Sequence, residues 1–525
     1  MIPKLSEASP FQAKYLSFIE RLNASGFSGD IHPDFTNAAT LSIDDPLYQT
    51  LPQAIISPKS EQDIRSLVEL SALEEFQDIA FLSNRAKNGL LITDGLIIDL
   101  SKHMADSKLD ASLKLNVHSS KRTLLMSEWL RRINQQKFDL KKASKAIKRS
   151  HYLISFFPKL KNTISKRRGD YDFSNEVYES MMSFSPCEFC IDQGSSNIEI
   201  EAFKTNFLEL YHSRYLRPFK DYLIGFLEFI SPVASIFPKP YNWIMGSRWV
   251  NRISNKYLGL SNSTQFSKLN LKKEMVRRGI RLATPLSIES LSPKDRLRAV
   301  IVIQDVYTSY FETELVLDTM EMLSRLGFQA YLAPYTPNGK PLYKLGFMKS
   351  FNRAARKNLD MIQNLSFYGL PFIGIDPSMT LTYRSEYAKN FSTSRQIPTV
   401  HFMQDWLAGK KEHLIKQPLV CEKSTYYLMA HESEKTDSIT STQNWQEIYR
   451  ILGLELHIEK VNCFSTIDTN EGKSSWEEAI VKQELHDKLV ATGYFSRKQA
   501  KQLNNVDIPH PAQILLKHLR DIPII

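Results

Sequence analysis

Short apolar runs alternate with helical patterns along the chain after residue 297, and this alternation constrains the fold more than any other feature. Residues 298–305 contain a continuous apolar run, residues 312–326 carry apolar side chains at helical spacing, and Gly327 precedes another apolar run at 329–332. Continuous apolar runs are typical of strands buried on both faces of a parallel sheet, and glycine commonly follows the last helical turn. The order predicts a βαβ unit.

The same alternation continues towards the end of the chain. We predict a helix at 352–365 and a strand at 371–377, followed by a second series: strand 425–430, helix 445–452, strand 454–458, helix 475–489 and a strand end at 490–494. Two similar series indicate an internally duplicated α/β domain over residues 297–525.

Cys187 and Cys190 form a C-x-x-C pair that raises the question of a metal or redox site. A ferredoxin cluster needs four thiolates, and in the usual spacing Phe184 and Gly194 would occupy the other two ligand positions. A standard cluster is therefore not expected. The pair can be half of a zinc site, a cluster shared with a partner chain, a redox dithiol or two small buried side chains, and we favour the last interpretation.

The residues around this pair resemble a known family. Residues 168–177, the cysteine run and residues 207–218 are similar to the ferredoxin-type segment of the large bacterial D-2-hydroxy-acid dehydrogenases, of the D-lactate and D-2-hydroxyglutarate class. Those proteins join an FAD domain to iron–sulfur and cysteine-rich domains in one longer chain. The resemblance implies descent from a dehydrogenase with FAD and 4Fe-4S cofactors.

The start of the chain resembles the first subdomain of the p-cresol methylhydroxylase (PCMH) type of FAD fold. A strand at 54–58, a helix at 60–73 with Ser60 as N-cap, a strand at 79–82 and the stretch 95–104 follow the family's order. The family's glycine-rich loop lets backbone N–H groups approach the FAD pyrophosphate, whereas residues 84–91 contain the single glycine Gly89. We therefore expect no FAD binding by this chain alone.

Residues 297–525 resemble the cysteine-rich CCG domain of heterodisulfide-reductase-like proteins. Residues 305–310, 374–378 and 383–387 match it, but only Cys463 remains of the four ligand-type cysteines compared. A second cluster is therefore not expected. A small-molecule cleft is an alternative, because parallel sheets bind ligands at their carboxyl ends. Asp376, Arg384, His431 and Cys463 are its candidate residues.

Charge is concentrated in one part of the chain. The net charge is +10, and residues 121–168 hold fifteen Lys or Arg against two acids. Such a stretch can bind nucleic acid, anionic lipid or an acidic protein. We favour a pair of solvated helix faces, since no nucleic-acid-reading motif accompanies the charge.

Four cysteines and the absence of a long apolar run indicate the cellular setting. Four cysteines make no disulfide framework, and no apolar run reaches the roughly 20 residues of a membrane span. No secretion signal is recognised. We expect a cytoplasmic protein, or one bound peripherally at the inner face of the membrane.

These observations give an α/β protein with five predicted parts. They are a partial PCMH-type FAD subdomain (1–106), a basic helical connector (107–168), a degenerate ferredoxin-like helical domain (169–260), a linker (261–296) and a duplicated CCG-like domain (297–525). Since the cofactor elements are degraded while the core patterns are intact, we expect a non-catalytic derivative that binds a protein partner. The alternative is an oxidoreductase component that oxidises a D-2-hydroxy acid only when a partner chain supplies FAD and cluster ligands.

Overall fold

The structure, a computed structural model, divides into two compact units. It describes residues 1–5, 13–32, 54–71, 73–76, 81–84, 96–99, 103, 129–130, 132–133, 136, 138–149, 156–182, 196–247, 265–391, 397–417, 424–431, 434, 439–459, 488–504 and 506–520. The first unit comprises Met1–Phe184 and Leu210–Leu216, and the second comprises Ser185–Glu209 and Arg217–Ile525.

The first unit contains a small sheet and several helices. Its strands are β1 (Asp30–His32), β2 (Ala54–Ser57), β3 (Phe81–Asn84) and β4 (Leu96–Asp99), and its helices are α1 (Ala13–Ala24), α2 (Glu61–Ser71), α3 (Leu140–Arg149), α4 (Phe156–Arg167) and α5 (Phe173–Met182). The strand order is β1-β2-β4-β3; β1 is antiparallel to β2 and the other pairs are parallel. Ile56 and Ile98 are buried with Phe18 and Phe76.

Local sequence explains two features of this unit. Ser60 caps α2 as predicted: its Oγ accepts the Asp63 N–H, while the Asp63 carboxylate accepts the Ser60 N–H at 3.0 Å. Trp129 is buried, and its indole N–H donates to Ser174 Oγ at 3.2 Å. Burial of an indole is tolerated where its N–H has a partner.

The second unit is α/β with two parallel sheets, which confirms the predicted fold class. Its strands are β5 (Arg281–Leu282), β6 (Ala299–Ile303), β7 (Gln329–Leu332), β8 (Phe372–Gly374), β9 (Val400–Phe402), β10 (Thr425–Met429), β11 (Glu455–Ile458) and β12 (Leu489–Ala491). One sheet has the order β5-β7-β6-β8-β9 and the other β11-β10-β12, and every pair is parallel.

Helices connect these strands and precede them in the chain. The helix α6 (Ser196–Arg214) comes first and is followed by α7 (Phe219–Gly225), α8 (Leu227–Ala234), α9 (Pro238–Gly246), α10 (Leu271–Arg277), α11 (Pro285–Glu289), α12 (Pro293–Arg296), α13 (Thr313–Arg325), α14 (Lys340–Lys344), α15 (Met348–Ser366), α16 (Pro377–Arg384), α17 (Glu386–Phe391), α18 (Met403–Ala408), α19 (Lys411–Leu414), α20 (Ile439–Ile451), α21 (Tyr494–Asn504) and α22 (Pro511–Arg520). No helix in the described part of the chain has the length and hydropathy needed to cross a bilayer.

Three strands of the five-stranded sheet repeat the order of the three-stranded sheet, and the two sheets share a core. β6 lies between β7 and β8, just as β10 lies between β11 and β12. Val302 of β6 and Leu428 of β10 belong to the same buried cluster, together with Trp445 of α20. The carboxyl ends of both sheets are therefore held in a fixed relation by side-chain packing.

Two parts of this unit differ from the expectation. Residues 261–296, which we expected to be a linker, include α10, α11, α12 and β5, and β5 extends the sheet beside β7. The edge strand β9 was not predicted. Both strands are only two or three residues long, which is too short for a periodic apolar signal. The five domain boundaries otherwise remain predictions.

The shared core predicts a large effect of truncating Leu428, whose side chain is fully buried. Leu428→Ala should lower the free energy of unfolding by about 2–5 kcal/mol, since it removes packing contacts and leaves a cavity. Leu286→Ala is the matched control, because Leu286 is 84% exposed, and it should change stability by less than about 0.5 kcal/mol. Urea denaturation followed by circular dichroism measures both, and equal losses would contradict this core.

Candidate functional site

Polar side chains gather where the central strands of the second unit end. Asp305 follows β6, Asp376 follows β8, His431 follows β10 and Thr492 follows β12. Because parallel strands end at the same edge of a sheet, these residues lie at the carboxyl ends, where open α/β sheets bind ligands. We call Asp305, Asp376, His431, Glu434 and Glu228 the polar centre.

Asp305 is held by the backbone turn that follows it. Its carboxylate accepts the N–H groups of Tyr307 (2.8 Å) and Thr308 (2.9 Å) and the Thr308 hydroxyl (2.6 Å). Residues Tyr307–Phe311 form one turn of π-helix, a conformation that is frequent at functional sites. Burial, together with the nearby Asp376 carboxylate, raises the pKa of Asp305 to about 7.

Asp376 joins the ends of the two sheets. It is the N-cap of α16, where one oxygen accepts the Met379 N–H at 3.0 Å. The other oxygen accepts the Tyr494 N–H at 2.9 Å, and Tyr494 begins α21 directly after β12. One carboxylate therefore satisfies the first turns of helices that follow two different sheets.

His431 lies against the backbone after β12. A Cβ added to Gly493 would stand 2.4 Å from the imidazole Cδ2, so the glycine makes room for the ring. The backbone N–H of His431 donates to Thr492 Oγ1 at 3.0 Å. Burial lowers the pKa of His431 to about 4, although the Asp376 carboxylate opposes that change. The imidazole is therefore neutral near pH 7 and able to take part in hydrogen bonds without a charge.

Glu434 is fully buried beneath His431. One carboxylate oxygen accepts Gln404 Nε2 (2.5 Å) and Trp445 Nε1 (3.4 Å), and the other accepts the His431 N–H (2.9 Å) and the Thr492 hydroxyl. Burial raises the pKa of Glu434 to about 7, against the effect of these hydrogen bonds. Glu434 therefore anchors the backbone that carries His431.

Glu228 reaches the polar centre from helix α8. Its carboxylate accepts the N–H groups of Asn338 (3.3 Å) and Gly339 (2.6 Å), and it is 1% exposed. Burial raises the pKa of Glu228 to about 8, and the negative charge of Asp305 makes a smaller contribution in the same direction. Gly339 has a φ of +84°, which a residue with a side chain rarely adopts.

Two buried cations lie beside the polar centre, each with an acidic partner. Lys340 donates to the Ser378 carbonyl and is 3.7 Å from Glu386. Arg497 is paired with Glu312 at 2.5 Å and donates to the carbonyl groups of Ala491 and Thr492.

Because Asp305, Glu434 and Glu228 have pKa values near neutrality, the polar centre can hold and release protons at physiological pH. This is a property that proton-transfer sites share.

The structure brings together only some of the predicted site residues. Asp376 and His431 lie together as expected. Arg384 is at the other end of α16, about 12 Å along the helix axis from its N-cap. There its Nε donates to the Val400 carbonyl at 2.9 Å and its guanidinium lies over the Phe402 ring. Arg384 therefore links α16 to β9, and its part in a ligand cleft stays a prediction.

The cysteines lie outside the described residues. Cys187, Cys190 and Cys463 fall in stretches that the structure does not describe, as does Gly89 of the degenerate loop. Zinc or a shared cluster at Cys187 and Cys190 therefore stays a prediction. Across the described ranges, no group of three or more His, Cys, Asp or Glu side chains is arranged to hold a metal ion.

Sequence reasoning missed three members of the polar centre. Asp305 follows an apolar run just as Asp376 does, so the same rule would have found it. Glu228 interrupts the longest apolar run of the chain, and an acid in such a position is an indication of a buried functional group. Nothing in the local sequence distinguishes Glu434 from a surface acid.

The two aspartates predict opposite responses to amide substitution. Both oxygens of Asp376 accept backbone N–H groups, so the amide nitrogen of Asp376→Asn would face a donor. We expect this substitution to cost about 1–3 kcal/mol of stability at pH 7. Asp305→Asn is the matched control, because its amide can donate to the Thr308 hydroxyl, and it should cost less. Urea denaturation compares them, and equal stability of the two variants would contradict the assigned hydrogen bonds.

The raised pKa of Asp305 predicts a pH-dependent stability. The folded protein binds a proton at Asp305 up to about pH 7, whereas an unfolded chain loses it near pH 4, so stability falls as pH rises between those values. Asp305→Asn removes this contribution, with a slope of at most about 1.4 kcal/mol per pH unit. In denaturation at pH 5, 6 and 7, the free energy of unfolding of Asp305→Asn should rise relative to that of the parent protein as the pH rises. Asp507→Asn changes an exposed side chain, and its difference from the parent should stay constant over this range.

The chain matches no family model and no solved structure, but it has relatives among known proteins. The D-2-hydroxyglutarate dehydrogenase of Pseudomonas putida is 34% identical over 411 residues, which cover 76% of this chain and 40% of that protein. The Escherichia coli K12 protein of the same name is 31% identical over 435 residues, covering 79% of this chain and 42% of the relative.

These relatives correct the functional expectation. They are named as enzymes, so the expectation of a non-catalytic binding protein is wrong: losses at individual cofactor positions were given more weight than similarity across most of the chain. The chain spans about two fifths of the length of the relatives it matches. With 30–34% identity over most of its own residues, this chain is related to the D-2-hydroxy-acid dehydrogenase family.

Proposed function

We propose that this chain is part of an oxidoreductase that oxidises a D-2-hydroxy acid, with D-2-hydroxyglutarate as the first substrate to test. The observation that carries the proposal is the convergence of Asp305, Asp376 and His431 at strand ends, in a chain 34% identical to a D-2-hydroxyglutarate dehydrogenase over 411 residues. Oxidising a hydroxy acid to an oxo acid releases two electrons and two protons. Groups with a pKa near 7 are suited to receive the protons.

In this proposal the polar centre handles protons and the surrounding residues orient it. Asp305 takes up and releases a proton at its carboxylate, and neutral His431 offers a ring nitrogen for hydrogen bonding. Glu434 positions His431 by accepting its backbone N–H, and Asp376 joins the ends of the two sheets by accepting the Tyr494 N–H. The paired cations Lys340 and Arg497 limit the negative charge of the neighbourhood.

We also propose the finer relation to the family. The repeated order β7-β6-β8 and β11-β10-β12 supports a duplicated, CCG-like second unit. The parallel arrangement of β2, β4 and β3 supports a PCMH-type start. FAD is the flavin that this relation implies, and it would accept the electrons of the substrate. No cluster ligands are assigned, because no ligand set is arranged in the described residues, and no step is routed through a cluster.

The activity is tested on protein purified anaerobically from its own cells, so that any partner chain accompanies it. We expect reduction of an artificial dye with D-2-hydroxyglutarate and none with the L enantiomer. Asp305→Asn should lower kcat by roughly 10²–10⁴, the usual contribution of acid–base catalysis, and should abolish a rate dependence on a group titrating near pH 7.

Asp507→Asn is the matched control and should keep the parent kcat, since Asp507 lies at the surface paired with Lys501. Absence of D-specific dye reduction would contradict the proposed oxidoreductase activity. Full activity of Asp305→Asn with an unchanged pH profile would contradict the proposed role of the polar centre and leave the proposed oxidation itself intact.

A further inference from the structure

Helix α8 has its polar and apolar faces reversed relative to an ordinary surface helix. Its buried side chains are Glu228 and Ser231, while Phe229, Ile230 and Val233 are exposed. A surface helix of a water-soluble protein normally buries its apolar stripe. The reversed pattern indicates that the outer face of α8 meets an apolar environment.

The helices on either side of α8 continue this exposure. Phe219 in α7 is 66% exposed, Phe237 directly before α9 is 68% exposed, and Trp243 in α9 is 79% exposed. The connections are short: Phe226 joins α7 to α8, and residues 235–237 join α8 to α9. We call Phe219, Phe229, Val233, Phe237 and Trp243 the apolar face. Soluble proteins rarely leave so many large apolar side chains of successive helices in water.

The charges of these helices indicate what the apolar face contacts. The acids between residues 217 and 247 are Asp221 and Glu228, and both are buried, at 2% and 1% exposure. Asp221 is also 3.9 Å from Arg217. Lys239 is exposed and Lys220 is half-buried. The charge presented to solvent by α7, α8 and α9 is therefore positive, as is the net charge of +10 for the chain.

We propose that α7, α8 and α9 form a membrane-binding surface that lies in the interface of an anionic phospholipid bilayer. Aromatic and aliphatic side chains beside lysines are typical of helices that insert their apolar face at the boundary between headgroups and acyl chains. Lysine is depleted in protein–protein interfaces, and a second copy of the chain would bring like charges together. This inference goes beyond the proposed oxidation and does not depend on it.

The proposal is tested by cosedimentation of the purified protein with vesicles of phosphatidylcholine mixed with phosphatidylglycerol. The parent protein should bind these vesicles and bind pure phosphatidylcholine more weakly. Phe237→Ser combined with Trp243→Ser should lower the partition coefficient at least roughly tenfold. Leu286→Ser combined with Phe367→Ser is the matched control, because both side chains are exposed elsewhere in the same unit, and it should bind like the parent.

A spectroscopic measurement identifies the residue that enters the bilayer. Brominated lipid should quench part of the tryptophan fluorescence of the parent, and Trp243→Phe, which keeps an apolar ring, should bind normally and lose that part. Failure to bind anionic vesicles would overturn the proposal. So would vesicle binding that survives the Phe237/Trp243 double substitution, or loss of self-association or of a copurifying protein in that variant without any vesicle binding.

Discussion

The carboxylate of Asp376 is the interaction on which the arrangement of the second unit depends. Its two oxygens accept N–H groups from Met379 and from Tyr494. Tyr494 lies 118 positions after Asp376 in the chain, so one side chain connects the sheet of β8 to the sheet of β12. Each N–H would otherwise be an unsatisfied donor at the start of a helix. With these ends joined, Asp305 and His431 each lie near the Asp376 carboxylate.

Burying several acids in one place changes their proton affinity. Burial raises the pKa of Asp305 and Glu434 to about 7 and that of Glu228 to about 8, because ionised carboxyl groups lose water there. Glu228 also explains the reversed helix α8: directing its carboxylate inward turns Phe229 and Val233 outward. One helix thus contributes to the polar centre on one side and to the apolar face on the other.

The sequence predicted the elements with long, regular patterns. β6, β7 and α13 were found within one or two residues, because continuous apolar strands and a helix ended by glycine are strong local signals. β5 and β9 were missed because they are short. In the polar centre, Asp376 and His431 could be predicted from strand ends, whereas Glu228 and Glu434 depend on tertiary contacts with Gly339 and Gln404. Arg384 lies a helix length from the end of β8, a distance that the sequence pattern alone does not reveal.

The most direct measurement of the central claim is infrared difference spectroscopy of the carbonyl band of protonated carboxyl groups, comparing the parent protein with Asp305→Asn between pH 5 and 8. We expect a band in the parent at pH 6 that declines towards pH 8, and a band weaker by one carboxyl group in the variant, where Glu434 and Glu228 still contribute. A parent spectrum without this band at pH 6, or one identical to that of the variant, would show that Asp305 is ionised throughout and would contradict a proton-handling polar centre.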